Sequence, residues 1–138
     1  MEEFNPVLKK LSIVSILLCV LSSSLVAQKP SEMELEIWNL AFEEVVEEGE
    51  ENFNDPGLSN NGMACGQCHV DGANTRPETY PKFKKNMDRV VTLAEMINWC
   101  IVNPLKGKAL ELDSEKMVSL ITYITHQRRD VKLNPGKN

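Results

Sequence analysis

Leu35, Trp38, Phe42, Val45 and Val46 recur three or four positions apart among glutamates, a period that predicts an amphipathic helix with one apolar stripe. Ser31 and Glu34 stand in the S-x-x-E relation of a capping box at its start, and Gly49 marks its expected stop. Asn52–Gly57 and Ser59–Gly62 are rich in turn formers, so a short new helix is expected to open only at Cys65. From Val70 to Asn86, Gly72, Pro77 and Pro81 interrupt the chain and no period is sustained, which predicts irregular structure. Thr92 and Glu95 form a second capping box, followed by Leu93, Met96, Ile97, Cys100 and Ile101 on or near one helical face, and Asn103-Pro104 ends that helix. After the Lys106-Gly107-Lys108 turn, Asp113 or Ser114 caps a last helix striped by Met117, Leu120, Ile121 and Ile124. The tail from Asp130 to Asn138 is polar and expected to fray. With strand signal nearly absent, the pattern predicts an all-α fold.

The beginning of the chain reads differently. Lys9-Lys10, the apolar run Leu11–Leu21 and the Ser22–Ala27 end have the order of a secretory signal, with cleavage expected after Ala27. Its apolar core is short for a bilayer span, and Leu25 departs from the small-x-small end, which leaves an uncleaved anchor as the alternative. Cys19 lies within that core and leaves with the signal. The resulting organisation is a signal over 1–27, one small domain over 28–130 and a polar tail over 131–138. The product is periplasmic or otherwise exported, with no membrane attachment after cleavage.

Charge adds an asymmetry to this picture. The net charge is −5, and removal of Glu2, Glu3, Lys9 and Lys10 leaves it unchanged. Residues 28–69 hold Lys29 against ten acids, whereas residues 70–138 hold twelve basic residues against eight acids. The chain lacks the basic surplus of a nucleic-acid binder; the split suits charge-steered docking to another protein, unless the Glu43–Glu51 run is simply a solvated helix face.

Cys65-Gly66-Gln67-Cys68-His69 carries the chemistry. Two thiols one turn apart can form thioethers to a porphyrin edge, and the adjacent imidazole can reach the iron, so CxxCH reads as covalent attachment of one haem c through Cys65 and Cys68, with His69 as iron ligand. A redox CxxC pair or half a zinc site is the alternative, but zinc needs further ligands, and the cysteine and histidine remaining after export, Cys100 and His126, are isolated. A small domain buries only a modest core, and a haem supplies an apolar centre to pack around.

The first helix with its Gly-Glu-Glu-Asn-Phe-Asn-Asp-Pro end, the turn, CxxCH and the final amphipathic helix together resemble a class I cytochrome c domain. That resemblance implies a small cytochrome c fold in which the N- and C-terminal helices cross and loops wrap on the covalent haem. Tyr80-Pro-Lys-Phe, Arg89-Val-Val-Thr-Leu, Ile97-Asn-Trp-Cys100, Pro104–Leu110 and Ser114-Glu-Lys-Met117 are similar to the cytochrome domains of thiosulfate dehydrogenases and of the thiosulfate-oxidising sulfur-oxidation cytochromes.

For the sixth iron ligand the candidates are Cys100, Met117, Met96 and Met87. Class I electron carriers use a methionine; the resemblance to the sulfur-oxidising cytochromes implies Cys100, the cysteine of the Ile-Asn-x-Cys pattern and the candidate catalytic residue. Cys100 is also the one cysteine left over once the signal leaves and Cys65 and Cys68 bond to haem. Met117 fits the apolar stripe of the last helix, Met96 sits one turn before Cys100, and Met87 lies in a basic loop. Met63 is too near CxxCH to reach the far side of the ring. Arg76, Tyr80, Arg89 and Trp99 are candidate donors to the haem propionates. Lys106 and Lys108, by analogy with the resembling enzymes, are candidates to hold an anionic sulfur substrate such as thiosulfate.

Three functions fit. The first is an exported monohaem carrier transferring electrons in sulfur-compound oxidation, working with a redox protein partner such as a second haem subunit. The second is a catalytic or sulfur-binding subunit of a thiosulfate-oxidising complex. The third is a haem sensor or docking subunit.

Overall fold

In the computed structural model, residues 29–137 are described. The chain falls into two units, Met1–Leu35 and Glu36–Asn138. The described part of the first contains the Ser31/Glu34 capping box, in which the Ser31 N–H donates to Glu34 Oε2 at 2.8 Å and the Glu34 N–H to Ser31 Oγ at 3.2 Å. The secretory signal and Cys19 lie outside the described residues. Among the described residues no helix is long and apolar enough to cross a membrane.

Among the described residues there are three α-helices: α1 (Glu32–Asn54), α2 (Leu93–Val102) and α3 (Glu115–His126). α1 does not stop at Gly49 but runs one turn past it, and the reason is packing. Gly49 is where α1 meets α3: a Cβ there would fall onto the Ser119 carbonyl oxygen and within 2.7 Å of Tyr123 Cβ. Here the missing side chain permits close helix approach, which outweighs the roughly 1 kcal/mol that glycine costs a helix interior. Around it Phe53 packs on Tyr123 with ring centroids 5.1 Å apart, and Asn52 Nδ2 donates to Ser119 Oγ at 3.1 Å. The buried face of α1 is therefore Val46, Gly49 and Phe53. The expected stripe holds only at its C-terminal end, since Trp38 and Phe42 are about half exposed.

α2 and α3 follow their sequence signals closely. Thr92 and Glu95 close the expected capping box, and Ser114, rather than Asp113, caps α3 through the Met117 N–H. Ile97 and Ile101 of α2 and Met117, Leu120, Tyr123 and Ile124 of α3 join Val46, Phe53 and Leu105 in one core. Burying side chains of this size stabilises the fold by roughly 1.5–3 kcal/mol each.

The segment expected to be irregular is more ordered than its pattern suggested. Lys82–Lys84 (β1) pairs antiparallel with Arg89–Val91 (β2), with Phe83 opposite Val90. The strands are only three residues long, below what alternation can signal. Over the described residues the fold is thus helical with one small hairpin. The tail is not frayed either: the Asn134 N–H donates to Glu78 O at 2.8 Å, and the Gly136 N–H lies 3.0 Å from both Thr79 O and Pro81 O.

Candidate haem site

The CxxCH segment opens, as expected, with a short helix, a single 3-10 turn over Cys65–Gln67. The Cys65 carbonyl accepts from both the Cys68 N–H at 3.2 Å and the His69 N–H at 3.0 Å. Gln67 Oε1 takes the otherwise unpaired Ala64 N–H at 3.1 Å, which fixes the entry of the turn. Cys65 is half-buried and faces a cavity, while Cys68 is exposed. His69 Nδ1 lies 2.8 Å from the Ala73 carbonyl oxygen. A carbonyl can only accept, so Nδ1 carries the proton and Nε2 keeps its lone pair, the arrangement a metal-ligating histidine adopts.

The cavity beside this turn has a volume of about 390 Å³, in the range of cofactor pockets. Phe53, Leu93, Ile97, Leu120 and Ile124 give it an apolar lining. Cys65 and His69 reach it from the motif, and Met96 and Cys100 from α2. The α2 stripe read from the sequence thus divides, with Ile101 in the core and Met96 and Cys100 on the cavity. Met117 is fully buried in the core, and Met87 lines a separate, open depression with Arg89 and Trp99. Of the candidate propionate donors, Arg76 and Tyr80 line the cavity while Arg89 and Trp99 do not.

Lys106 and Lys108 are exposed and absent from the cavity wall. The cations that do converge there are Arg76, Lys82 and Lys84. Lys82 and Lys84 were invisible as a pair because they meet the cavity through β1, where residues two apart share a face. Lys82 is 7% exposed; its Nζ donates to Thr79 Oγ1 at 2.8 Å and sits 4.5 Å from the centre of the Tyr80 ring.

Electrostatics follow from this placement. Burial pushes the Cys65 thiol up to about 11, and the neighbouring Cys100 adds to the shift. Burial likewise raises Tyr80 to about 12, again with Cys100 contributing. Cys100 itself is raised, chiefly by burial, with Lys84 opposing and Cys68 adding. Lys82 is lowered, first by burial and then by the charges of Lys84 and Arg76, with Glu78 opposing. The site therefore disfavours isolated thiolates and crowds cations together. A group combining a positive metal with anionic arms relieves both conditions, since the metal stabilises thiolate and the cations receive the anions. The residues present fit a haem: the Cys65 thiol on the cavity with Cys68 three residues on, a tautomer-fixed imidazole, an apolar lining and a cationic wall.

Comparison with known proteins agrees with this geometry. The protein-family model described as SoxA/TsdA, cytochrome c domain, matches residues 48–133. A thiosulfate dehydrogenase of Psychrobacter arcticus is 31% identical over 84 residues, covering 55% of this chain and 26% of that protein. The thiosulfate dehydrogenase of Allochromatium vinosum is 30% identical over 82 residues, covering 51% and 30%. The L-cysteine S-thiosulfotransferase subunit SoxA of Pseudaminobacter salicylatoxidans is 30% identical over 69 residues, covering 48% and 24%. The chain thus spans about a quarter to a third of the length of these relatives. The crystal structure of SoxXA from P. pantotrophus shares the fold, with a TM-score of 0.62 at 17% identity over 70% of this chain and 37% of that one.

Proposed function

Because the chain belongs to the SoxA/TsdA cytochrome c domain family, we propose that it is an exported monohaem cytochrome that transfers electrons in the oxidation of thiosulfate-class sulfur compounds. In this reading Cys65 and Cys68 hold the haem c covalently, and His69 and Cys100 ligate its iron. The observation that carries it is that Cys65, His69 and Cys100 line one cavity. Bound there, the haem supplies a one-electron couple. The protein's own groups do the rest. Ala73 holds the proton on His69 Nδ1 and presents Nε2. Lys84 favours the thiolate form of Cys100 against the burial that opposes it. Arg76 and Lys82 offer charge-assisted hydrogen bonds to carboxylates in the cavity. Electrons pass on to a redox partner, a second haem subunit of the same complex. In this reading the signal over 1–27 is cleaved after Ala27, leaving the cytochrome domain over 28–130 with its 131–138 tail.

The test is spectroscopic. A thiolate-ligated haem resists ascorbate, whereas a methionine-ligated one reduces readily and shows a sulfur-to-iron charge-transfer band. Cys100→Ala is expected to change the oxidised spectrum; an unchanged one takes Cys100 off the iron.

A second reading, a sulfur-binding catalytic subunit, is favoured by the convergence of Arg76, Lys82 and Lys84 on the cavity that Cys100 lines. It predicts a sulfur adduct on Cys100 after turnover with thiosulfate, read by peptide mass. A clean thiol in every condition counts against it.

A further inference from the structure

The family match ends at residue 133, yet the backbone beyond it is bonded to the cavity wall. Asn134-Pro135-Gly136-Lys137 forms a turn closed by the Lys137 N–H on Asn134 O at 3.3 Å, with Gly136 at φ +83. Proline followed by a glycine of positive φ is the sequence of a type II turn. The turn aims two N–H groups at one short segment: Asn134 at the Glu78 carbonyl, and Gly136 at those of Thr79 and Pro81. Arg128, two residues past α3, reaches the same segment and donates to Glu78 Oε1 at 3.1 Å. That carboxylate is 8% exposed.

Residues 76–82 carry three groups of the cavity: Arg76, Tyr80 and Lys82. Their own bonds make the segment one unit, since Thr79 Oγ1 donates to Arg76 O and receives Lys82 Nζ, both at 2.8 Å. A pull on Thr79 is therefore a pull on both cations.

We propose that residues 131–137 form a positioning strap: through the Asn134 and Gly136 amides, with Arg128 as its anchor, they hold the Arg76–Lys82 wall over the cavity and so fix how strongly its cations act on whatever the cavity binds. Arg128, Asn134 and Gly136 are positioning residues and touch no ligand. That the occupant is a haem rests on the function proposed above; that the tail holds the wall does not. The strap's side chains are exposed, and its bonds are backbone bonds at the surface, the kind that open locally without global unfolding.

Gly136→Pro removes the N–H shared by Thr79 and Pro81 while leaving the chain at full length, and it also forbids the positive φ. Amide hydrogen exchange of the full-length protein reads the hold directly. The Thr79 and Tyr80 amides, bonded to Arg76 O and Pro77 O, are expected to exchange at least about tenfold faster in Gly136→Pro, with the α2 amides unmoved. A chain ended at Asp130 should give the same pattern. Unchanged exchange at Thr79 and Tyr80 overturns the strap.

The midpoint potential of the holoprotein then separates positioning from mere support. A cation held near the iron favours the reduced state, so Gly136→Pro is expected to shift the potential downward, and by clearly less in a Lys82→Met background. Equal shifts in both backgrounds, or none, overturn the positioning role. A protein that takes up no haem would sink the proposed function, and hydrogen exchange would still decide the strap.

Discussion

In the proposed ligation by Cys100, the effect of its sulfur on iron depends on whether it is presented as thiolate or replaced by a thioether. A thiolate donates charge and stabilises the oxidised metal, whereas methionine favours the reduced one. Cys100→Met is accordingly expected to raise the midpoint potential by roughly 0.2 V, well within the ~0.8 V that axial ligands command. Redox titration checks this, and an unmoved potential removes Cys100 from the iron. Gly49 makes a different kind of prediction. Alanine gains about 1 kcal/mol in helix propensity, but its methyl would land on the Ser119 backbone, where overpacking costs typically 1–3 kcal/mol and the obstruction cannot rotate away. Gly49→Ala should therefore destabilise the protein by about 1 kcal/mol net in urea unfolding; a stabilised variant would show that α1 and α3 do not meet there. Residues whose chemistry is local were legible in the chain: Cys65, Cys68 and His69 lie within five positions. Gly49 was legible only as a helix breaker, because its partner Ser119 is distant in sequence.

At the scale of elements, the Glu78–Arg128 pair joins the segment before β1 to the chain just past α3. Burial works against the Glu78 carboxylate, yet its own backbone hydrogen bond, Arg128 and Arg76 outweigh it and hold the pKa below the ordinary 4.5. A carboxyl depressed on folding contributes stability that is present above pH 4.5 and lost as pH falls through the lower, folded value. Glu78→Gln should thus cost about 1–2 kcal/mol at neutral pH, discounted because Arg128 is partly exposed, and the gap to wild type should close in acid. Urea unfolding at several pH values measures it; a pH-independent gap would refute the ion pair. Helices α2 and α3 were readable to within a residue because both carry side-chain caps and long apolar stripes. The β1–β2 hairpin was not, since its register depends on a turn without glycine and on strands too short to alternate visibly. Missing the hairpin meant missing that Lys82 and Lys84 line the cavity, which Lys106 and Lys108 do not. The tail was misread for a related reason: its side chains are polar and exposed, and only its backbone is engaged.

Across the whole molecule the charges divide between an acidic α1, with Glu43, Glu44, Glu47, Glu48, Glu50 and Glu51 all exposed, and a basic second half that walls the cavity. If α1 steers a basic redox partner, the electron-transfer rate should fall as ionic strength rises from about 0.01 to 0.15 M, where the Debye length shrinks from ~30 to ~8 Å. A flat profile rejects steering by that helix. The redox expectations presuppose a macrocycle in the cavity that Cys65, His69 and Cys100 line. The most direct test is the intact mass of the mature protein from a host that matures c-type cytochromes, taken under denaturing conditions that strip any non-covalent haem. The account predicts the polypeptide plus one haem, lost when Cys65 and Cys68 are both replaced by alanine; the mass of the bare polypeptide would contradict it.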